Sequence, residues 1–367
     1  MKLKDVTLQE IKGIWGDELQ DGEKGTPVIK TNNLTYEGHV DLSHITFRNI
    51  PASKVTNCLL RYGDLLIEKS GGTKTHSVGY VNIFEDKNDE YVANNFIFVL
   101  RPNSKLIDSK YLFYQLKYRY ESGQIEHLHN QTTGIQNLKV QSYLNQEIKY
   151  VSIQTQQKIS NKLDKIEKAI KLEKSVLNSL DALIKSRFIE MFGDVESNTH
   201  NYPIKKLSEI SEYWNGLTYK PTDVADNRKG TLVLRSSNIQ NGQLCFYDNV
   251  FVNCQIKERH IVKENDILMC SRNGSSKLVG KVALIKGLNK PTSFGAFMMI
   301  IRSKYYQYLK LFFESVAFKH QISTGTATIN QITGNMLNTI KLPVPPMIVI
   351  DEFAEFVNQI DKLKFSI

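Results

Sequence analysis

The chain has 367 residues, 41% hydrophobic and 10% aromatic, enough apolar material for two domains with cores of their own and too much for a disordered chain. No apolar run approaches the ~20 residues that cross a bilayer, and MKLKDVTLQE lacks the apolar stretch of a signal peptide. The net charge of +9 is dispersed rather than gathered into a tail; it admits a polyanionic partner without establishing one.

From the N-terminus, VIKTNNL, DLLIEK and NFIFVLR are short β-branched or aromatic runs punctuated by Gly, Asn and Asp, the chemistry of strands. SKYLFYQLKYRYES carries apolar residues at helical spacing and is expected to bury its rings in a core. A helix without Pro or Gly then runs from Gln156 to Phe192, and Gly193 stops it. Ile159, Leu163, Ile166, Ile170, Leu177, Leu180 and Ile184 follow alternating four- and three-residue steps interrupted only by Glu173, a heptad stripe. Such a helix is roughly 55 Å long, more than one small domain can bury. Its other face carries Lys158, Lys162, Lys165, Lys168, Lys171 and Lys174, read as a solvated surface.

After Gly193 the pattern begins again at a shift of roughly 195–205 residues, far longer than a solenoid unit. TLQEI (7–11) meets KLSEI (206–210), and GTPVIKTNNL (25–34) meets GTLVLRSSNI (230–239). GDLLIEKSGGTKTHSVGYV (63–81) meets NDILMCSRNGSSKLVGKV (265–282), with Asp64 on Asp266 and Gly79 on Gly280. NNFIFVLR (94–101), YLFYQL (111–116), TTGIQNL (132–138) and EIKYV (147–151) meet GAFMMIIR (295–302), YLKLFF (308–313), TATINQI (326–332) and TIKLP (339–343). Residues 159–168 meet 353–362, in a second helix from about Met347 to Ile367 with Ile350, Phe353, Val357, Ile360 and Leu363 as its apolar positions. Collinear matches over this length mean an internal duplication. The fold class is α+β: two similar mixed α/β domains, linked by long antiparallel coiled-coil helices and related by a pseudo-two-fold axis. The domains are 1–152 and 194–345; the helices are 153–193 and 346–367, the latter a short copy of the former.

The chain offers little catalytic chemistry. SGGTK is not a Walker A loop, because Thr73 separates Gly72 from Lys74, and RNGSSKLVG fails likewise. The Pro-Pro of LPVPPMIV has the wrong neighbours for an amino-methyltransferase, no nuclease-like carboxylate cluster is present, and Gly-x-Ser-x-Gly is missing. His127 and His129 lack a metal-ligating partner. Cys58, Cys245, Cys254 and Cys270 form no C-x-x-C pair and read as buried thiols of a reducing cytoplasm.

Polar loops recur instead at matching places. The first holds Lys30 and Asn33 opposite Arg235 and Asn238. The second holds Lys69, Thr73 and Lys74 opposite Arg272, Asn273 and Lys277. The third holds Thr133 and Gln136 opposite Thr326 and Gln331. Arg pairs with guanine, Asn or Gln with adenine, and Ser, Thr and Lys with phosphate, so all fourteen are candidate DNA-binding residues. Each Asn equally suits a turn, and each cation a solvated surface.

GDLLIEKSGG (63–72), SRFIEMFGD (186–194), YWNGLTYKPTD (213–223), VLRSSNIQNG (233–242), NDILMCSRNG (265–274) and IKLPVPP (340–346), in this order around a heptad helix, resemble the specificity subunits of type I restriction–modification enzymes over essentially the whole chain. The resemblance implies two target recognition domains, each reading one half of a bipartite, asymmetric site on double-stranded DNA, with the helices setting the gap. It implies two methylation subunits carrying S-adenosylmethionine and restriction subunits using ATP and Mg. This chain would be non-catalytic, would hold no cofactor or metal, and would work in a bacterial or archaeal cytoplasm away from membranes. Ile159, Leu163, Ile166, Ile170, Leu177, Leu180, Ile184, Phe353, Val357 and Ile360 would form the internal coiled coil and the docking surface for the methylation subunits.

Two departures stand out. IKGIWGDELQDGEKG (11–25) replaces the NGLTYKP element in the first unit, so the two half-sites are expected to differ. Ile367 aligns with Glu173, so the distal half of the central helix is expected to lack an internal partner and the free chain to be unstable. The competing function is a coiled-coil assembly adaptor without sequence-specific DNA binding.

Overall fold

A computed structural model describes residues 1–72, 77–88, 90–132, 135–225, 229–323 and 330–366. They form two compact units, Met1–Lys171 and Leu172–Ile367. Among the described residues no helix is long and apolar enough to cross a membrane.

The first unit is built on a four-stranded antiparallel sheet in the order Thr7–Lys12, Ile97–Pro102, Leu65–Glu68, Val81–Ile83. Its two central strands are apolar without alternation because both of their faces are covered. Leu65, Ile67, Phe98 and Leu100 face one core with helix Ser109–Glu121, which buries Tyr111, Leu112, Phe113 and Leu116. Leu66, Ile97 and Val99 face a second core with Ile29 and Leu60. A smaller sheet sets Thr26–Ile29 between Thr46–Arg48 and, in parallel, Val92–Ala93.

The second unit repeats this topology. Glu212–Asn215, Met298–Arg302, Ile267–Cys270 and Val282–Leu284 form the large sheet, and Thr231–Leu234 lies between Val250–Val252 and the parallel strand Thr292–Phe294. The stretch YYQYLKLFFESVAFKHQI makes two helices, Tyr306–Glu314 and Val316–Ile322, because the Ser315 side chain caps the second. A buried bidentate ion pair is duplicated as well. The Arg101 Nε and Nη2 donate to Asp64 at 2.9 and 2.7 Å, and those of Arg302 to Asp266 at 2.7 Å each. Each aspartate also accepts the amide three residues before it, closing the turn into the strand.

The central helix spans Ile153–Phe192, and Gly193 ends it at φ +68°, a left-handed conformation that glycine adopts freely. Its N-terminal part docks through a polar row that heptad reasoning overlooked. Gln156 is fully buried, accepting the Asp108 amide at 2.8 Å and donating to the Leu106 and Val151 carbonyls. About two and three turns further on, Asp164 binds Lys110 and Tyr114, and Glu167 binds Lys117 and Tyr114, at 2.6–3.2 Å. The six lysines of the opposite face are exposed, as the solvated reading expects.

The heptad stripe divides. Ile159, Ile166 and Ile170 are exposed, Leu163 and Leu177 are half-buried, and only Leu180 and Ile184 join a core. The distal end of the helix is paired, which corrects the expectation that it lacks an internal partner. The C-terminal helix Met347–Ser366 packs antiparallel to it, with Phe353 5.1 Å from Phe192, Arg187 over Phe356, and Lys364 bonded to Asp181. Phe353, Val357 and Ile360 are buried there with Ile184, Phe188 and Phe192. The aromatic side chains decide the pairing, since each fully buried one stabilises by about 1.5–3 kcal/mol. Of the four thiols only Cys270 is buried; Cys58, Cys245 and Cys254 are half-exposed, and all are free.

Candidate nucleic-acid interface

The matching loops hang on identical backbone bonds. The Glu68 carbonyl accepts the Gly79 amide at 2.8 Å, and the Cys270 carbonyl accepts that of Gly280 at 2.9 Å. Both glycines have positive φ, +97° and +84°, where any L side chain would be strained. The Lys69 and Ser271 amides donate to the Phe96 and Phe297 carbonyls at 2.9 Å, and their own carbonyls accept from Leu138 and Ile332. The second polar loop, which follows Leu65–Glu68 or Ile267–Cys270, therefore meets the end of the third, at Leu138 or Ile332, on one hydrogen-bonded corner in each unit.

In the second unit this corner borders a cleft of about 1070 Å³ lined by Arg235, Ser236, Arg272, Asn273, Phe297 and Asn330, among others. Arg272 is exposed, its guanidinium 5.4 Å from the Phe297 ring centroid, with no hydrogen bond to a protein group among the described residues. Arg235 is half-buried and tied to Asp248 at 3.0 Å, while its Nε is buried without a partner. Asn273 donates to Ser236 Oγ at 3.1 Å and accepts the Ser275 amide, which locks the loop. Gln331 bridges to Arg272 through the backbone and is exposed. Lys277 lies elsewhere, in a groove of about 1080 Å³ shared with Lys185, Lys281 and Lys319.

In the first unit the corresponding corner carries Lys69, half-buried, and Ser70, whose hydroxyl donates to Asn137 Oδ1 at 2.6 Å. Gln136 pairs through its backbone with Gly72, and its Oε1 is buried without a partner among the described residues. Behind the loop Glu68 is buried beside Tyr36, Tyr80 and Tyr120, and burial pushes its carboxyl up to about 7. Cys270 occupies the matching place in the second unit, its thiol also raised by burial. Lys30 is half-buried at the end of its strand.

Asn33 and Asn238 are not on this surface, a correction to their candidacy as base readers. Each amide oxygen accepts the amide three residues earlier, at 2.9 Å. Each Nδ2 is spent inside: Asn33 on the Asp41 and His44 carbonyls, Asn238 on the Cys245 carbonyl and Asn249 Oδ1. With exposures of 4% and 0% they hold the loop in shape, leaving no polar edge for a ligand. Thr73, Lys74, Thr133 and Thr326 lie outside the described residues. Among the described residues no cluster of His, Cys, Asp or Glu could hold a metal ion.

The comparisons with known proteins agree with this picture. Residues 1–182 match the family described as the type I restriction modification DNA specificity domain. The match takes in the first unit and most of the central helix, just under half of the chain. It is 29% identical over 173 residues to the EcoKI specificity subunit of Escherichia coli K12, covering 44% of this chain and 37% of that protein. It is 28% identical over 170 residues to the StySPI specificity subunit of Salmonella potsdam, covering 43% and 36%. The chain thus spans well under half the length of these two relatives in the aligned stretch. A type I S subunit structure from M. genitalium shares the fold at TM-score 0.57 and 14% identity, over 100% of this chain and 91% of that one. A second structure, from work on assembly and conformational transition of the type I R-M system, reaches 0.50 at 13% identity over 100% and 91%.

Within this family frame, Phe96 and Phe297 are functional candidates that reasoning from charge and polarity missed. Both are exposed and sit at the loop corner. The signal was present in the repeat, because NNFIFVLR and GAFMMIIR place these phenylalanines on one another.

Proposed function

We propose that this chain is the DNA-recognition subunit of a type I restriction–modification complex, each unit reading one half of a bipartite, asymmetric site. The observation that carries the proposal is one hydrogen-bonded frame built twice, with loop corners of different chemistry. The first corner offers Lys69, Ser70 and Gln136; the second offers Arg235, Arg272 and Gln331. Unequal readers on equal frames suit unequal half-sites. Arg272, beside the Phe297 ring and with its donors free among the described residues, is shaped to pair bidentately with guanine. The 40-residue helix, about 60 Å long at 1.5 Å per residue, spaces the halves. Its exposed Ile159, Ile166 and Ile170 are the docking surface for methylation subunits, which bring S-adenosylmethionine, while restriction subunits bring ATP and Mg. This chain itself performs no bond chemistry.

The test is sequence-specific binding by the complex of this chain with its methylation subunits, measured against salt. Arg272→Ala is expected to cost about 1–3 kcal/mol of discrimination in one half-site and nothing in the other. Arg235→Ala is expected to act on that same half. Equal loss at both halves would refute the two-reader scheme, and binding without sequence preference would favour the assembly adaptor.

A further inference from the structure

Phe96 is 52% and Phe297 60% exposed. A single exposed ring calls for no explanation, since every protein surface carries some. These two differ because they recur at one position of a duplicated frame whose neighbours have changed: Asn95 faces Ala296, and Ile97 faces Met298.

The backbone that carries each ring is also fixed. Each rides a turn closed by one hydrogen bond, Ile97 to the Asn94 carbonyl at 3.1 Å and Met298 to that of Gly295 at 2.8 Å. The residue after each ring is buried, Ile97 at 0% and Met298 at 1%. The carbonyl of each phenylalanine accepts the amide of Lys69 or Ser271, so the ring is tied directly to the reading loop. In the second unit the Ser271 hydroxyl and the Arg272 amide donate to the Phe297 carbonyl as well, at 2.9 and 3.1 Å. A backbone already fixed loses little further freedom on contact.

Half exposure decides the kind of contact. A side chain that wedges between base pairs must enter the stack with its whole ring, whereas these two leave only about half of their surface free. That shape suits a small apolar group projecting into a groove, and among the bases only thymine presents one, its C5 methyl in the major groove. The neighbouring Arg272 is placed for an adjacent guanine, 5.4 Å from the Phe297 centroid.

We propose that Phe96 and Phe297 each read a thymine methyl in their own half-site. The inference rests on the DNA-recognition function above. Its test uses the complex with the methylation subunits on its recognised duplex, each thymine being replaced in turn by deoxyuridine, which removes only the C5 methyl. One replacement per half is expected to weaken wild-type binding about fourfold, the worth of one buried methyl group. Phe297→Ala should abolish the thymine preference in one half and leave the other intact; Phe96→Ala should do the reverse, and Phe297→Leu should keep part of it. Thermal melting of the free variants checks that they fold. Specific wild-type binding together with Ala variants that keep the thymine preference, or a half-site without thymine, overturns the inference alone. Loss of methylation-subunit binding by the Ala variants places the rings in a protein interface and overturns it too. A wild-type complex with no sequence preference overturns the DNA-recognition reading itself.

Discussion

In the second unit Phe353, Val357 and Ile360 are buried against Ile184, Phe188 and Phe192; at the matching places in the first unit Ile159 and Ile166 are exposed and Leu163 is half-buried. The duplicated helices thus share a pattern and have different surroundings. The first unit instead grips its helix by Gln156, which accepts the Asp108 amide, and by Asp164 and Glu167, which bind Lys110, Tyr114 and Lys117. What both units keep, the Asp–Arg pair, the buried Asn and the glycine-closed loop, is what holds the frame. What they exchange, Glu68 for Cys270 or Ser70 for Arg272, lies at or behind the loops that face outward.

The sharpest way to break this comparison is to truncate equivalent apolar positions. Phe353→Ala is expected to cost about 3–5 kcal/mol in chemical denaturation of the second unit, through cavity and lost transfer energy. Ile159→Ala, at the matching exposed place, is expected to change the free chain by no more than about 0.5 kcal/mol while weakening association with a methylation subunit. A large loss of free-chain stability in Ile159→Ala would show that its stripe is covered internally.

The ion pairs come next. Asp64→Ala and Asp266→Ala each leave an arginine uncompensated, a loss of about 3–5 kcal/mol where both partners are buried. The Arg101 side chain is 14% exposed and that of Arg302 33%, so water relieves the second, and Asp266→Ala is expected to be the milder change in urea. Asn33→Ala and Asn238→Ala are expected to cost about 1–3 kcal/mol each for the groups left unpaired, without altering the recognised sequence. A changed methylation pattern in either variant would restore those residues as base readers.

The smallest effect concerns pH. Burial raises the Glu68 carboxyl from 4.5 to about 7, so the folded first unit binds a proton that the unfolded chain has lost. This contribution is fully present below about pH 4.5, falls as the pH rises, and is gone above about 7. Relative to wild type, Glu68→Gln should therefore gain stability across that window and flatten the pH dependence in denaturation curves. Cys270 holds the matching position, so no such slope belongs to the second unit at this place.

Much of the fold is legible in the sequence. The non-alternating runs DLLIEK and NDILMC become strands covered on both faces, and the stretch without Gly or Pro becomes one helix ending at Gly193. The site is legible in outline only. Asn33 reads as a possible base contact until the chain at Asp41 and His44 returns to take its amide, and nothing local announces that return. Phe96 was passed over because an aromatic beside a strand ordinarily turns inward, whereas the turn at Asn94–Ile97 aims it out.

Periodicity and repetition alone determined that two like units exist and that their helices carry apolar stripes. Those features are local, written into residue type and spacing. Only the tertiary structure decided which stripe is covered, which arginine keeps its donors free among the described residues and which asparagine is buried. Each of these depends on what distant segments bring alongside, and burial is a property of that meeting rather than of the residue.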